Sequence, residues 1–258
     1  MWPASKVFPK ELFPLGKIPV IIHLVWEFLD AGIEKIVIVA GEHNREYIAA
    51  LLDPNNAPPA KLERDPIVQR FQKTLQGSIE LMEQPADANY GNGTPLHLAA
   101  RKFGMQPYVY AFGDDIIIGE NATRSLLATY ECTGCPVMGA QEVAPARKSS
   151  FGILECSPEN GIQYITRLLE KPRPEETPSN LATFGRYVVS TSVLEMLGRT
   201  RPGKDGEIWF IDAVMAHMES GGRACASTLK SGVWFTVGDP KSYADAVEAA
   251  TEEQLRNG

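Results

Sequence analysis

Residues 20–41 read VIIHLVWEFLDAGIEKIVIVAG, and the change of period inside this stretch decides the fold class. A helix-period apolar run ends near Gly32, and the β-branched run KIVIVAG (35–41) follows after a short loop. The spacing predicts a helix and then a buried strand. The succession recurs in RFQKTLQ (70–76) before SIELMEQ (78–84), and in TPLHLAARKFG (94–104) before PYVYAFGDDIII (107–118). Helices alternating with short apolar strands predict a parallel sheet covered on both faces, an α/β architecture.

Between these pairs, LLDPNNAPPAKLERDP (51–66) is rich in Pro and Asn and reads as an exposed connection. The second half is less regular. Strands are expected in GCPVMGAQEV (134–143), FGILECS (151–157), IQYITRLLEKP (162–172, running into a turn), NLATFGRYVVS (180–190) and ACASTLKSGVWFTVG (224–238). Helices are expected in EIWFIDAVMAHMES (207–220) and PKSYADAVEAATEEQLRNG (240–258). The opening MWPASKVFPKELFP (1–14) carries Lys6 and Lys10 among prolines at 3, 9 and 14, which predict an extended basic strip.

At 258 residues and 44% hydrophobic, the chain can bury a large core and fits one large domain or one domain with an appendage. A net charge of −7 argues against a nucleic-acid partner, so an anionic ligand needs a local basic cluster. No apolar window is long enough to span a membrane, and Met1 is followed by prolines and charges instead of an apolar signal core, so a cytoplasmic protein is expected. ECTGC (131–135) spaces Cys132 and Cys135 tightly, but Cys156, Cys225 and the four histidines stand singly, which favours an incidental pair over a zinc or redox site.

Three motifs carry candidate chemistry. AFGDDIII (111–118) sets Asp114 and Asp115 at the C-terminal end of an apolar strand, where ligands gather in open parallel sheets. A carboxylate there suits Mg2+, which is usually held by one or two carboxylates plus substrate phosphates. Asp114 is read as that ligand and Asp115 as a cap on the following turn. YGNGTPLHLA (90–99) puts Gly91 and Gly93 before a helix that Thr94 can cap. Such glycines admit a ligand close to the backbone and a helix N-terminus favours anions, although NG is also a common turn. LLEKPRPEE (168–176) fixes Lys171 between Glu170 and Pro172, suited to gripping a phosphate as a compact point charge or equally to a solvated turn.

Taken in order, PASKVFPKELFP, YGNGT, GDDIII, FGILE, LLEKPRPEETPSNLATFGRYVVS and GEIWFIDAV resemble the sugar-phosphate nucleotidyltransferases, and within them the bacterial UTP–glucose-1-phosphate uridylyltransferase family. The likeness covers essentially the whole chain. It implies a Rossmann-like nucleotidyltransferase fold, a mainly parallel mixed sheet flanked by helices, in a single domain with a nucleotide-binding part over about 1–130 and a sugar-binding part over about 131–258. It implies transfer of a uridylyl group from UTP to glucose 1-phosphate, giving UDP-glucose and pyrophosphate with Mg2+ as cofactor. The sugar phosphate attacks the α-phosphorus in line, so catalysis rests on positioning and charge neutralisation.

By the same resemblance Lys10 meets the triphosphate, Gln84 and Gly91 contact the base, and Asp114 holds the metal. Gly152 lies against the sugar, Glu170 holds sugar hydroxyls, and Lys171 holds the sugar phosphate. Asn180 and Gly185 line the sugar pocket, with Asn180 equally readable as a turn residue, and Asp212 is read as either a pocket residue or a buried cap or ion pair. A homo-oligomer is compatible with the sequence.

Two departures from the family pattern stand out. The strand and G-x-G-T-R loop that precede PASKVFPKELFP in the family do not occur in this sequence, which leads to an expectation of weaker nucleotide binding and two exposed strand edges. Where the family reads W-x-D-x-G, this chain has WFTVG, with Thr236 in place of a second carboxylate for the metal and Asp239 three residues on. Two alternatives therefore stay open: a catalytically degenerate nucleotide-sugar-binding or regulatory homologue, and a related thymidylyl- or other sugar nucleotidyltransferase.

Overall fold

The computed structural model describes residues 1–203 and 206–257, and its contacts gather into two compact units, residues 1–88 with 236–258 and residues 89–235. In the first unit the proline-rich opening is not extended. It folds as one turn of helix α1 (Ala4–Val7) and a 3-10 turn over Lys10–Leu12, with extended backbone at Phe8 and Phe13. Pro3 and Pro9 each stand just before a helical turn, where a fixed φ and a missing N–H are tolerated. The prolines thus start short helices here.

A short hairpin of β1 (Pro14–Leu15) and β2 (Ile18–Pro19) leads into α2 (Val20–Asp30), β3 (Lys35–Ala40), α3 (Glu42–Leu52), α4 (Pro66–Leu75) and β4 (Ser78–Glu83). Strands β3 and β4 pair in parallel from Lys35–Ser78 to Ala40–Glu83. The apolar face of α2 packs Ile22 and Val25 onto Ile36, Ile38 and Ile48, and each aliphatic chain removed from water contributes about 1.5–3 kcal/mol. A polar stitch joins α2 to α4. The Trp26 indole N–H donates to Thr74 Oγ1 at 2.8 Å, while the Arg70 guanidinium lies 4.1 Å above that indole and grips both oxygens of Asp30.

The second unit holds α5 (Thr94–Phe103), β5 (Tyr108–Ala111), β6 (Asp115–Ile118), α6 (Ala122–Thr133), β7 (Val137–Glu142), β8 (Gly152–Glu159), β9 (Ile162–Glu170), β10 (Leu181–Val189), α7 (Thr191–Leu197), α8 (Phe210–Glu219), β11 (Cys225–Thr228) and all but the last residue of β12 (Val233–Thr236). Six strands form one sheet in the order β5-β10-β7-β11-β9-β8, and β6 pairs with β12. The C-terminal α9 (Pro240–Asn257) belongs to the first unit.

The sheet is mixed, but its parallel content is smaller than the helix–strand alternation predicts. Among the described residues β11 runs parallel to β7, whereas β10 runs antiparallel to β5, β7 and β8, and β9 antiparallel to β8 and β11. One cause lies in residues 152–189, where β8, β9 and β10 follow one another with no α-helix between them to return the chain in the same direction. Two expected long strands are each broken in two: residues 107–118 become β5 and β6, and residues 224–238 become β11 and β12. β3 pairs with β4 alone and β5 with β10 alone among the described residues, so each has one edge without a partner strand.

β10 is the centre of the second unit, with eight of its nine residues buried. Its hydrogen bonding to β7 shifts register between Thr183 and Tyr187. Opposite this bulge, a Cβ built on Gly139 of β7 would lie 2.4 Å from the Phe184 ring and 3.0 Å from the Arg186 carbonyl oxygen. Gly139→Ala is therefore expected to destabilise the protein by about 1–3 kcal/mol through overpacking, with partial recovery on adding Phe184→Leu. Urea unfolding of the single and double variants checks this, and a Gly139→Ala protein as stable as the parent contradicts the packing.

Candidate active site

In the second unit β5 ends at Ala111 and the chain turns through Phe112, Gly113 and Asp114 into β6. Asp115, read from the sequence as a cap on the following turn, is instead buried. Its Oδ2 accepts from the Gly185 N–H at 2.7 Å and its Oδ1 from the Trp234 indole N–H at 3.0 Å. Gly185 sits in the β10 bulge, where the lost β7 ladder leaves its N–H open to a side-chain acceptor. The Arg186 side chain, wholly buried, donates to the carbonyl oxygens of Gly185 at 3.0 Å and Asp115 at 3.3 Å. Burial first, and then the charge of Asp114, push the Asp115 carboxyl up to about 6, against the opposing pull of its two N–H donors and Arg186.

Gly185 also has a steric role. A Cβ there would stand 2.6 Å from the Phe112 side chain. The sequence reading of Gly185 as a sugar-pocket residue thus meets a demonstrable packing demand on the same atom.

A second cluster forms where β8 and β9 begin and end together. Gly152 pairs with Glu170, and a Cβ on Gly152 would come within 3.2 Å of Glu170 Oε2 and 3.0 Å of Thr183 Cγ2. Its absence makes room for the Glu170 carboxylate. The next residue, Lys171, takes a φ of 46°, a left-handed conformation that side chains disfavour, and its N–H donates to the Phe151 carbonyl at 3.1 Å. Its Nζ lies 3.8 Å from Glu170 Oε1 and 5.1 Å from the Trp209 ring.

Burial raises the Glu170 carboxyl above its usual range; the Lys171 charge opposes that shift and the Asp212 charge adds to it. Asp212, in the first turn of α8, is raised by burial as well. Glu170 therefore feels both the Lys171 cation and the Asp212 carboxylate. Trp209 is the member that motif reading passed over. Its only sequence signal is a large aromatic residue directly ahead of an acidic helix start.

Gly91 is held against the strand of chain leading to α8. Its φ is 122°, and a Cβ would overlap the Ile208 carbonyl at 2.3 Å. Ile208 N–H donates to Tyr90 O at 2.7 Å, Gly93 N–H to Ile208 O at 2.9 Å, and Phe210 N–H to Asn92 Oδ1 at 2.8 Å. Gly93, and not Thr94, takes the N-cap position of α5, and the buried Thr94 hydroxyl has no protein partner. Asn180 accepts from Val143 N–H through its carbonyl at 3.0 Å, while its buried Oδ1 is left without a partner. An orphaned acceptor of this kind suits a ligand donor such as a sugar hydroxyl.

Lys10 and Gln84 belong to the first unit. Lys10 opens the 3-10 turn, and Gln84 follows β4 with its N–H donated to Ala40 O at 2.9 Å. In the same unit the Thr236 hydroxyl accepts from Gly238 N–H, and Asp239 Oδ1 accepts from Ser242 N–H at 2.8 Å at the start of α9. Asp239 Oδ1 is thus committed to the cap of α9.

The donor set bears on magnesium. Asp115 gives both carboxylate oxygens to N–H donors, and the adjacent Asp114 is half-buried in the β5–β6 turn. No group of three or more His, Cys, Asp or Glu side chains gathers among the described residues. This fits an ion that arrives with substrate phosphates and keeps waters, and does not fit a caged resident metal. Nor is any helix among the described residues long and apolar enough to cross a membrane.

The profile of the nucleotidyl transferase family matches residues 1–253, and the chain belongs to that family. Within it, the chain is 34% identical over 222 residues to a UTP–glucose-1-phosphate uridylyltransferase of Staphylococcus saprophyticus, covering 82% of this chain and 74% of the relative. It is 28% identical over 267 residues to a UTP–glucose-1-phosphate uridylyltransferase of Pseudomonas aeruginosa, covering 99% of this chain and 93% of the relative. A crystal structure of UDP-glucose pyrophosphorylase complexed with UDP-glucose superposes with a TM-score of 0.85 at 26% identity, over 98% of this chain and 94% of that one. The mixed α/β fold is that of these nucleotidyltransferases.

The raised Asp115 value predicts a pH signature. The folded value lies above the ordinary 3.8, so the stability tied to the protonated carboxyl is complete below about pH 4 and is lost as pH rises towards 6. The unfolding free energy of the parent minus that of Asp115→Asn is expected to fall across this window by on the order of 2 kcal/mol. Urea titrations at a series of pH values measure it, and a difference that stays constant from pH 4 to 6 contradicts the assignment.

Proposed function

We propose that this protein transfers a uridylyl group from UTP to glucose 1-phosphate, releasing pyrophosphate and forming UDP-glucose. The observation that carries the reading is the cluster of Gly152, Glu170, Lys171 and Asp212: a half-buried acid with a fixed cation beside it, in a setting able to take a polyhydroxyl ring and its phosphate together. Family membership and relatives named for this activity support it.

In this reading residues before about 130 serve the nucleotide and those after it the sugar. Lys10 balances triphosphate charge, and Gln84 and Gly91 take the uracil. Glu170 and Asn180 Oδ1 accept from sugar hydroxyls, with Gly152 and Gly185 keeping the backbone close to the ring. Lys171 holds the sugar phosphate so that one of its oxygens faces the α-phosphorus. That oxygen forms the new P–O bond while the bond to the bridging oxygen of the leaving pyrophosphate breaks, so no protein atom is covalently modified. Magnesium, when bound, neutralises phosphate charge, and Asp114 is the residue to hold it. Free thiols at Cys132, Cys135, Cys156 and Cys225 are consistent with a reducing, cytoplasmic setting.

A second reading, binding of a nucleotide sugar without turnover, draws support from Thr236 and from the commitment of Asp239 to the α9 cap. It predicts the same ligand with no product.

Lys171 offers the test of the site. Loss of a charge-assisted contact is worth about 1.5–3 kcal/mol, so Lys171→Ala is expected to weaken UDP-glucose and glucose 1-phosphate binding by about tenfold to a hundredfold with little change in unfolding midpoint. Calorimetric affinities unchanged by the substitution would remove Lys171 from the site.

A further inference from the structure

We propose that Trp209 is a positioning residue for Lys171: its indole face seats the lysine ammonium and so sets how strongly Lys171 takes the phosphate of a sugar 1-phosphate. The inference rests on the reading of Lys171 given above and adds a determinant of its strength.

Lysine carries a long, flexible stem, and a phosphate contact made by a wandering ammonium loses much of its worth to side-chain entropy. Three features restrain it here. The backbone of Lys171 is held in the left-handed region and tied to Phe151, so the side chain leaves from a fixed point in a fixed direction. Glu170 Oε1, at 3.8 Å, is beyond hydrogen-bond length and attracts the ammonium without anchoring it. The indole of Trp209 lies 5.1 Å from Nζ, inside the roughly 6 Å range of cation–π attraction.

The platform is itself rigid. The residues on either side of Trp209 are pinned to the 90–92 loop, Ile208 N–H to Tyr90 O at 2.7 Å and Phe210 N–H to Asn92 Oδ1 at 2.8 Å, and the ring packs against the main core of the second unit. An indole face also has no acceptor lone pair aimed at the ammonium. It holds the cation without occupying the N–H bonds that a phosphate needs, and it excludes part of the ammonium's hydration. A carboxylate in the same place would compete with the ligand, whereas the ring does not.

The test combines affinity for glucose 1-phosphate by calorimetry with NMR of the Lys171 Cε protons, assigned through Lys171→Arg. The parent is expected to show those protons shifted upfield by the indole ring current, and Trp209→Leu to abolish the shift. Trp209→Leu is expected to raise the Kd about threefold to tenfold. Trp209→Phe, which keeps a weaker ring, should recover part of that affinity. In a Lys171→Met background Trp209→Leu should have no further effect.

Absence of the ring-current shift, or an equal effect of Trp209→Leu with and without Lys171, overturns the inference and leaves the role of Lys171 standing. A Kd for glucose 1-phosphate indifferent to Lys171→Met overturns the site reading, and the inference falls with it.

Discussion

A carboxylate sealed from water between a backbone amide and an indole N–H fixes the middle of the second unit. Asp115 could not be kept there without donors, because an unpaired buried charge is among the most costly features a fold can contain. The donors are Gly185 N–H, freed by the bulge in β10, and Trp234 Nε1–H from β12. One acid thereby ties the β5–β6 turn, the central strand and β12 together, with the buried Arg186 satisfying carbonyls on both sides. Asp114 stands next to this knot, so the residue proposed to hold magnesium inherits a rigid support.

The cluster of Gly152, Glu170 and Lys171, proposed to take the sugar, depends on subtraction. Glycines at 152 and 185 remove side chains that would collide with Thr183, Ile211 and Phe112, and the space at Gly152 is what admits the Glu170 carboxylate. The left-handed backbone of Lys171 costs on the order of 1 kcal/mol or more, and such strain persists only where the surroundings enforce it. Here the enforcing contacts are the Gly152–Glu170 pairing and the Phe151–Lys171 hydrogen bond. The site is built into the end of a hairpin of long, paired strands, a stiff frame for a reaction that works by positioning.

Much of this was legible in residue order. The period change in residues 20–41 locates α2 and β3, and EKP and GDD mark strand ends that the fold carries into two side-chain clusters. Three things were not legible. The strand directions beyond residue 150 depend on which strands pair, and hydrophobic period is silent on that. The opening prolines forbid helix interiors yet permit helix starts, so Pro3 and Pro9 admit both an extended strip and the turns they in fact begin. Asp115 and Trp209 act through partners more than thirty residues away in sequence, Trp234 and Lys171, and no local motif records a contact of that range. The unpartnered Asn180 Oδ1 belongs with them, since orphaning is a property of packing alone.

The activity itself is read most directly by phosphorus NMR of the purified chain incubated with UTP, glucose 1-phosphate and magnesium. The account predicts that the three UTP signals decline in step with the sugar phosphate, while the paired diphosphate signals of UDP-glucose and the single signal of pyrophosphate grow in equal amounts. Spectra that stay unchanged although UDP-glucose binds in a separate titration, or product formed from dTTP and not from UTP, would contradict it.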